Sequence, residues 1–224
     1  RVLTHRIAWQ LTEVRVPAWH ILAVTFTNRA AREMRHRLDQ MVGDLSTRSM
    51  ALGTFHATCA RILRREAEHV NLNSDYLIFD TEDQLALMKQ VVKAMNLDDK
   101  RYRPRSLLNA ISSAKNEMLE PVDYPIQTYY DEVVARVYDQ YQEALRANGG
   151  LDFDDLLMET VRLFRENPAV LARYREHYHT ILVDEFQDTN MAQYVILRLL
   201  AAEHRNLYAV ADEDQSIYSW RGAD

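Results

Sequence analysis

The residues of this chain best placed for chemistry are two adjacent carboxylates at the end of an apolar run. Residues 180–190 read T-I-L-V-D-E-F-Q-D-T-N, and Ile181, Leu182 and Val183 lead without polar interruption into Asp184 and Glu185. A short continuous apolar run is the pattern of a strand buried on both faces in a parallel sheet. Ligands of such sheets bind beyond the carboxyl ends of the strands, where Asp184 and Glu185 would emerge. One carboxylate at that position can hold Mg²⁺ while its neighbour polarises a water for phosphoryl transfer. The same residues also fit a plainer reading, a strand running into an acidic loop that caps a helix.

Three further segments carry residue types of interest. Thr25, Phe26, Thr27 and Asn28 stand where an apolar run ends and a basic helix begins. Hydroxyls and helix-terminal N–H groups there suit phosphate oxygens of a nucleic-acid strand, and Phe26 offers a flat face to a base. A helix cap beside a core Phe is the competing reading. Gly53 to His56 (G-T-F-H) repeats the theme, with His56 either a ligand contact or a satisfied structural histidine. Residues 211–224 read A-D-E-D-Q-S-I-Y-S-W-R-G-A-D. Gln215 is of a type that reads a γ-phosphate beside an ATP site, and Tyr218 and Trp220 could present two rings to bases, or both to a core. No metal-ligand Cys/His spacing, nucleophile elbow or G-x-G-x-x-G is present.

The elements that must position these residues are legible from periodicity. Apolar residues at 3, 7, 11 and 14 predict a helix over Val2 to Val14, and H-I-L-A-V-T-F after Pro17 predicts a buried strand. Thr27 or Asn28 caps a helix with Ala31, Met34, Leu38 and Met41 on one stripe and Arg29, Arg32, Arg35 and Arg37 on its other side, stopped by Gly43. A strand at Met50 to Phe55 and a helix from His56 to Val70 complete the rhythm of a parallel α/β sheet. From about residue 79 the pattern turns helical. Thr81 and Gln84 read as a capping box, helices are expected at Arg105–Leu119 and Thr128–Asn148, and Gly149-Gly150 ends the last. No strand signal falls between Asp80 and Gly150, so an all-helical insertion is expected there. Helices at Asp152–Glu166 and Pro168–His177 lead back to the acidic strand, then a helix at Met191–Glu203 and a strand at Leu207–Ala211. The expected organisation is 1–78 and 151–224 as one α/β body, with 79–150 inserted.

Composition is that of a globular protein, with 47% hydrophobic and 27% charged residues. The single Cys59 precludes an internal disulfide, fits a reducing cytosol and is expected to be a buried, inert thiol. No run is long and apolar enough to suggest a membrane span. The net charge of −6 is unevenly distributed. Residues 1–70 hold 11 Arg against 6 acids, a net +5, whereas 151–224 carry a net −7. Such asymmetry suggests a basic surface from the first third and a metal-attracting last third, or simply scattered solvated charge.

Taken in order, the segments resemble the PcrA/UvrD/Rep family of superfamily 1 DNA helicases over essentially the whole chain. R-V-L-T-H-R-I-A resembles the stretch after that family's Walker A loop. L-A-V-T-F-T-N-R-A-A-R-E-M-R is similar to motif Ia, G-T-F-H-A-T-C-A-R-I-L-R to motif Ib and L-D-F-D-D-L-L to motif Ic. V-D-E-F-Q-D-T-N resembles motif II and D-Q-S-I-Y-S-W-R-G-A-D motif III.

The resemblance implies a RecA-like α/β domain of the P-loop NTPase type with an inserted all-helical subdomain, using ATP and Mg²⁺. By matching position, Asp184 corresponds to the Mg²⁺ ligand, Glu185 to the base that activates water, and Gln215 to the link between γ-phosphate and DNA. Phe26, Tyr218 and Trp220 correspond to the base-stacking rings, with Thr25, Thr27, Asn28 and His56 beside the DNA backbone. Arg1 matches a residue packed on adenine, Gln187 and Asp188 complete motif II, and Arg221 matches a partner of an acid near the nucleotide. The implied substrate is single-stranded DNA and its junctions with duplex, travelled 3′ to 5′, in the bacterial cytoplasm, with repair or replication proteins as partners. The chain departs from the pattern in lacking the Walker A loop and the later motifs, and in carrying Ala211 where a Gly is common. It is therefore expected to be a monomeric fragment without appreciable ATPase activity of its own. The alternatives are the motor of a recombination helicase–nuclease and a non-catalytic DNA-binding remnant.

Overall fold

The computed structural model describes residues 1–43 and 47–212. They form two compact units, one from Arg1–Arg61 with Thr160–Asp224, the other from Ile62–Glu159. Among the described residues no helix is long and apolar enough to cross a membrane.

The first unit is built on four parallel strands, β1 (Ile21–Thr25), β2 (Ala51–Thr54), β5 (Thr180–Val183) and β6 (Leu207–Ala209), in the order β2-β1-β5-β6. Every residue of β1 and β5 is buried, as a strand covered on both faces requires. Ile21, Ala23 and Leu182 face a cluster formed by Leu3, Ile7 and Ala8 of α1 (Val2–Thr12) and Met34 and Leu38 of α2 (Asn28–Val42). The alternate residues Leu22, Val24, Ile181 and Val183 face the other way and are equally buried. Arg6 of α1 ties that helix to β6: its guanidinium lies 4.4 Å over the Tyr208 ring and Nη2 donates to the Tyr208 hydroxyl at 2.5 Å.

The elements that follow β2 and those around β5 keep the expected pattern with shorter ends. The stretch from His56 to Val70 divides into α3 (Phe55–Arg65) and a 3₁₀ turn at Ala67–Val70. The segment before β5 contains α7 (Phe153–Glu166) and α8 (Pro168–His177), and α9 (Met191–Ala201) links β5 to β6. Gly43 ends α2 at φ 82°, a conformation that glycine alone adopts without cost. Cys59 is buried, and burial pushes its thiol pKa up to about 12 against a weaker opposing hydrogen bond with Thr160. That thiol is unreactive.

The second unit packs α4 (Thr81–Ala94), α5 (Pro104–Asn116) and α6 (Tyr129–Ala147) around Met88, Val92, Leu107, Ile111, Val134 and Tyr138. Two expectations need correction. The capping box of α4 is formed by Asp80 and Asp83, not by Thr81 and Gln84: Asp80 accepts from the N–H groups of Glu82 and Asp83, and Asp83 accepts from the Asp80 N–H. A carboxylate outcompetes a Thr hydroxyl at the cap, which moves the register back by one. The Gly149-Gly150 pair is also more than a stop signal. Gly149, at φ 63°, ends α6, but Gly150 continues into β4 (Gly150–Leu151), parallel to β3 (Leu77–Ile78). A Cβ on Gly150 would lie 2.4 Å from the Phe79 ring, so the absence of a side chain is what admits that ring.

Below this core lies a buried charge cluster. Lys115, at the end of α5, donates from Nζ to Asp152 Oδ2 and Asp155 Oδ1, both at 2.7 Å. Tyr141 and Gln142 of α6 donate to the same two carboxylates. Burial by itself would lower the Lys115 pKa, but Asp152 and Asp155 outweigh it and keep the ammonium charged. Burial, reinforced by Asp155, raises the Asp152 pKa despite Lys115. Burial also raises that of Asp155, but Lys115 and the hydrogen bonds from Asp152 and Gln142 hold it below its ordinary value.

Lys115→Met leaves two buried carboxylates without their cation, which costs about 3–5 kcal/mol where both are ionised. Protonation relieves that repulsion and desolvation, so the cost shrinks as pH falls. Thermal unfolding at about pH 8 and about pH 5 checks this. A penalty equal at both values, or larger in acid, contradicts the assignment.

Candidate active site

The strand order places the chemistry. From β1 the chain proceeds to β2 on one side, and from β5 to β6 on the other, so the order reverses between β1 and β5. At such a reversal the loops leaving the two strands part and open a crevice beyond their carboxyl ends. Thr25 to Asn28 leave β1 there, and Asp184 and Glu185 leave β5. Val24 is in register with Val183, and the Asp184 N–H donates to the Val24 carbonyl at 3.0 Å. Thr25 is in register with Thr54, so Phe55 and His56 emerge beside Phe26 and Thr27.

Most of the predicted residues that are described lie along this edge. Thr25 is buried, and its hydroxyl donates to the Thr27 carbonyl at 3.0 Å. Thr27 is exposed, and its hydroxyl caps α2 by accepting from the Ala30 N–H at 3.1 Å. Thr54 caps α3 in the same way through the Ala57 N–H, at 3.2 Å. Phe26 and His56 are half-buried and Asn28 is exposed. Arg1 is exposed, beside a groove of about 490 Å³ lined by Thr4, His5, Arg37, Gln40 and Met41. Gln215, Tyr218, Trp220 and Arg221 lie outside the described residues.

The expected basic face of α2 is smaller than its composition suggests. Glu33 pairs with Arg29 at 3.0 Å and with Arg37 at 3.8 Å, while Arg35 donates to the carbonyls of Thr47 and Met50. Arg35 is thus half-buried and committed to the chain that follows α2. A count of arginines does not distinguish a surface charge from one used as an internal staple.

Asp184 is half-buried. Burial raises its pKa, the adjacent Glu185 adds to the rise, and the Glu185 N–H opposes it. Among the described residues no group of three or more His, Cys, Asp and Glu could hold a metal alone. One or two carboxylates fit Mg²⁺, which keeps waters and takes its other ligands from phosphate oxygens.

Glu185 adopts the left-handed conformation, φ 55° and ψ 47°, and opens the 3₁₀ turn Phe186–Asp188. A non-glycine residue there carries about 1–2 kcal/mol of backbone strain, held by surrounding hydrogen bonds. Those bonds run from the Phe186 N–H to the Val210 carbonyl and from the Asp188 N–H to the Glu185 carbonyl, each 2.9 Å. Burial and Glu185 raise the pKa of Asp188, whose Oδ1 has no hydrogen-bond partner among the described residues. Gln187 has a more specific place than completion of a motif: its amide reaches Glu185 Oε2 at 2.7 Å and accepts from the Asp212 N–H at 3.1 Å. Ala211 has no positive φ, so the residue standing where a glycine is common is unstrained.

The family model for the UvrD/REP helicase N-terminal domain matches residues 1–224. The chain belongs to this helicase-domain family. Similar curated proteins include the ATP-dependent DNA helicases PcrA of Bacillus subtilis strain 168, 50% identical, and of Leuconostoc citreum, 49% identical. The PcrA helicase of Staphylococcus aureus strain Mu50 is 47% identical. Each match takes in all of this chain but only 30–31% of the relative. The UvrD/REP domain thus accounts for the α/β sheet with its acidic strand.

The Thr27 cap is separable from any ligand contact. Thr27→Ala should lower stability by about 1 kcal/mol, and Thr27→Ser should restore most of it. Chemical denaturation measures both, and an Ala variant as stable as the parent would show that the cap contributes nothing.

Proposed function

We propose that this chain is the first motor half of an ATP-dependent DNA helicase, a RecA-like body with a helical subdomain inserted at about residues 79–150. The observation that carries the proposal is the single sheet edge that takes the acidic pair from β5 and the Thr25–Asn28 turn from β1. Nucleotide chemistry and a nucleic-acid backbone would then share one crevice, so that hydrolysis at one strand end alters grip at the next. Family membership and the matches of this whole chain to about 30% of PcrA helicases support it.

In this reading Asp184 holds Mg²⁺, which supplies charge neutralisation at the phosphates of bound ATP. Glu185 accepts a proton from the water that attacks the γ-phosphorus, the bond to the β–γ bridging oxygen breaks, and ADP and phosphate leave. With Oε2 engaged by Gln187, Oε1 is the atom available for that proton. Arg1 packs on the adenine, and Gln215 senses the γ-phosphate. Phe26, Tyr218 and Trp220 stack bases of single-stranded DNA, with Thr27, Asn28 and His56 at the backbone and Thr25 shaping the turn. Travel is 3′ to 5′ toward a junction with duplex, in the bacterial cytoplasm, alongside repair or replication proteins.

In the full-length protein, Glu185→Gln should keep Mg·ATP binding and lose hydrolysis by about 10²- to 10⁴-fold. Nucleotide binding and steady-state turnover test this together, and a variant within about threefold of the parent rejects Glu185 as the base.

Trp220→Ala and Tyr218→Ala should each weaken single-stranded DNA binding by about 5- to 150-fold, the equivalent of about 1–3 kcal/mol of stacking. The loss should be nearly independent of base sequence at fixed salt. Unchanged affinity with a large fall in melting temperature would instead make these rings core residues.

A further inference from the structure

The Gln187 side chain holds one oxygen of the Glu185 carboxylate. Gln187 is 9% exposed, and its amide is used at both ends. Nε2 donates to Glu185 Oε2 at 2.7 Å, and Oε1 accepts from the Asp212 N–H at 3.1 Å. The donor holds one carboxylate oxygen and leaves the other directed away from it. The acceptor fixes the amide's orientation, because a flipped amide would oppose N–H to N–H at Asp212 and oxygen to oxygen at Glu185. Glu185 itself is strained, so its carboxylate depends on such contacts to stay in one place.

The other end of the bridge matters as much. Asp212 stands three residues beyond the end of β6, at the entrance to the segment carrying Gln215, Tyr218 and Trp220. Backbone bonds already fasten the two strand ends together, Val210 N–H to Val183 carbonyl and Phe186 N–H to Val210 carbonyl, each 2.9 Å. The Gln187 amide is the side-chain contact that extends this fastening from Asp212 to the reacting carboxylate.

We propose that Gln187 is a positioning residue for hydrolysis, which aims the Glu185 carboxylate and anchors that aim on the Asp212 backbone. This rests on the helicase reading above, with Glu185 as base. A neutral amide suits this role because it donates to the carboxylate without neutralising it, whereas Lys or Arg would compete for the proton-accepting oxygen.

Two near-isosteric variants of the full-length protein separate the contacts. Gln187→Glu keeps an acceptor for the Asp212 N–H but sets a second carboxylate against Glu185, and Gln187→Met loses both hydrogen bonds without adding charge. Each should lower kcat by about 10- to 100-fold, the range typical for removing an outer hydrogen bond that orients a reacting group, with KM for Mg·ATP within about threefold. A merely structural role would lower the melting temperature without this split between kcat and KM. Folded variants with kcat within about threefold of the parent overturn the proposal. Parental turnover in Glu185→Gln would instead reject the underlying reading, and an inactive Glu185→Gln beside a fully active Gln187→Met rejects only the positioning role.

Discussion

The pairing of β1 with β5 is the constraint on which the rest of the first unit depends. Its last rung, from the Asp184 N–H to the Val24 carbonyl, is formed where the chain turns away from the sheet on both strands. Below that rung the strands are apolar and covered on both faces, so they bury their hydrophobic side chains and satisfy each other's backbone groups. Beyond it β1 and β5 no longer pair with each other, and polar residues take over. Chemistry appears where the two chains part.

What lies beyond that rung is held by a few polar contacts. The Glu185 backbone is strained, its carboxylate is held by Gln187, and the turns at Thr25 and Thr27 are closed by their own hydroxyls. A hydroxyl that shapes a turn is only partly available to a ligand. The exposed groups at this edge, Asn28 and the outer side of Thr27, are therefore the more direct candidates for contact, with Thr25 acting through the loop it closes. In the second unit a buried Lys115 plays a comparable role for two carboxylates, although no ligand chemistry attaches to it.

Much of this was readable from residue order, and the exceptions share a cause. Buried strands were visible because covering both faces forces an unbroken apolar run, as at Ile181 to Val183. The α2 stripe and the Gly43 stop were visible because periodicity and positive φ leave local signatures. The α4 cap was misplaced by one residue because Asp80 and Thr81 are both good caps, and only the geometry chooses between them. Gly149-Gly150 read as a single stop signal. One glycine ends a helix and the next pairs with Leu77, whose contribution to a strand is set some 70 residues away. The committed Arg35, the left-handed Glu185 and the Gln187 bridge depend on contacts between separate elements, and composition at a single position carries no trace of them.

The register that makes the crevice also sets a schedule for its assembly. Ile21 pairs with Thr180, a partner 159 residues later in the chain. On a ribosome adding about 5–20 residues per second, β1 would wait about 8–30 s before its inner neighbour exists. During that interval one long edge of a very apolar strand has only β2 beside it and an open row of backbone groups on the other side. The Ile62–Glu159 unit, whose core is formed by residues that all lie between, can compact while β1 waits. The arrangement that joins two chemistries at one strand end therefore exposes the nascent chain to misassociation, and its vulnerable surface is the Thr180-facing side of β1.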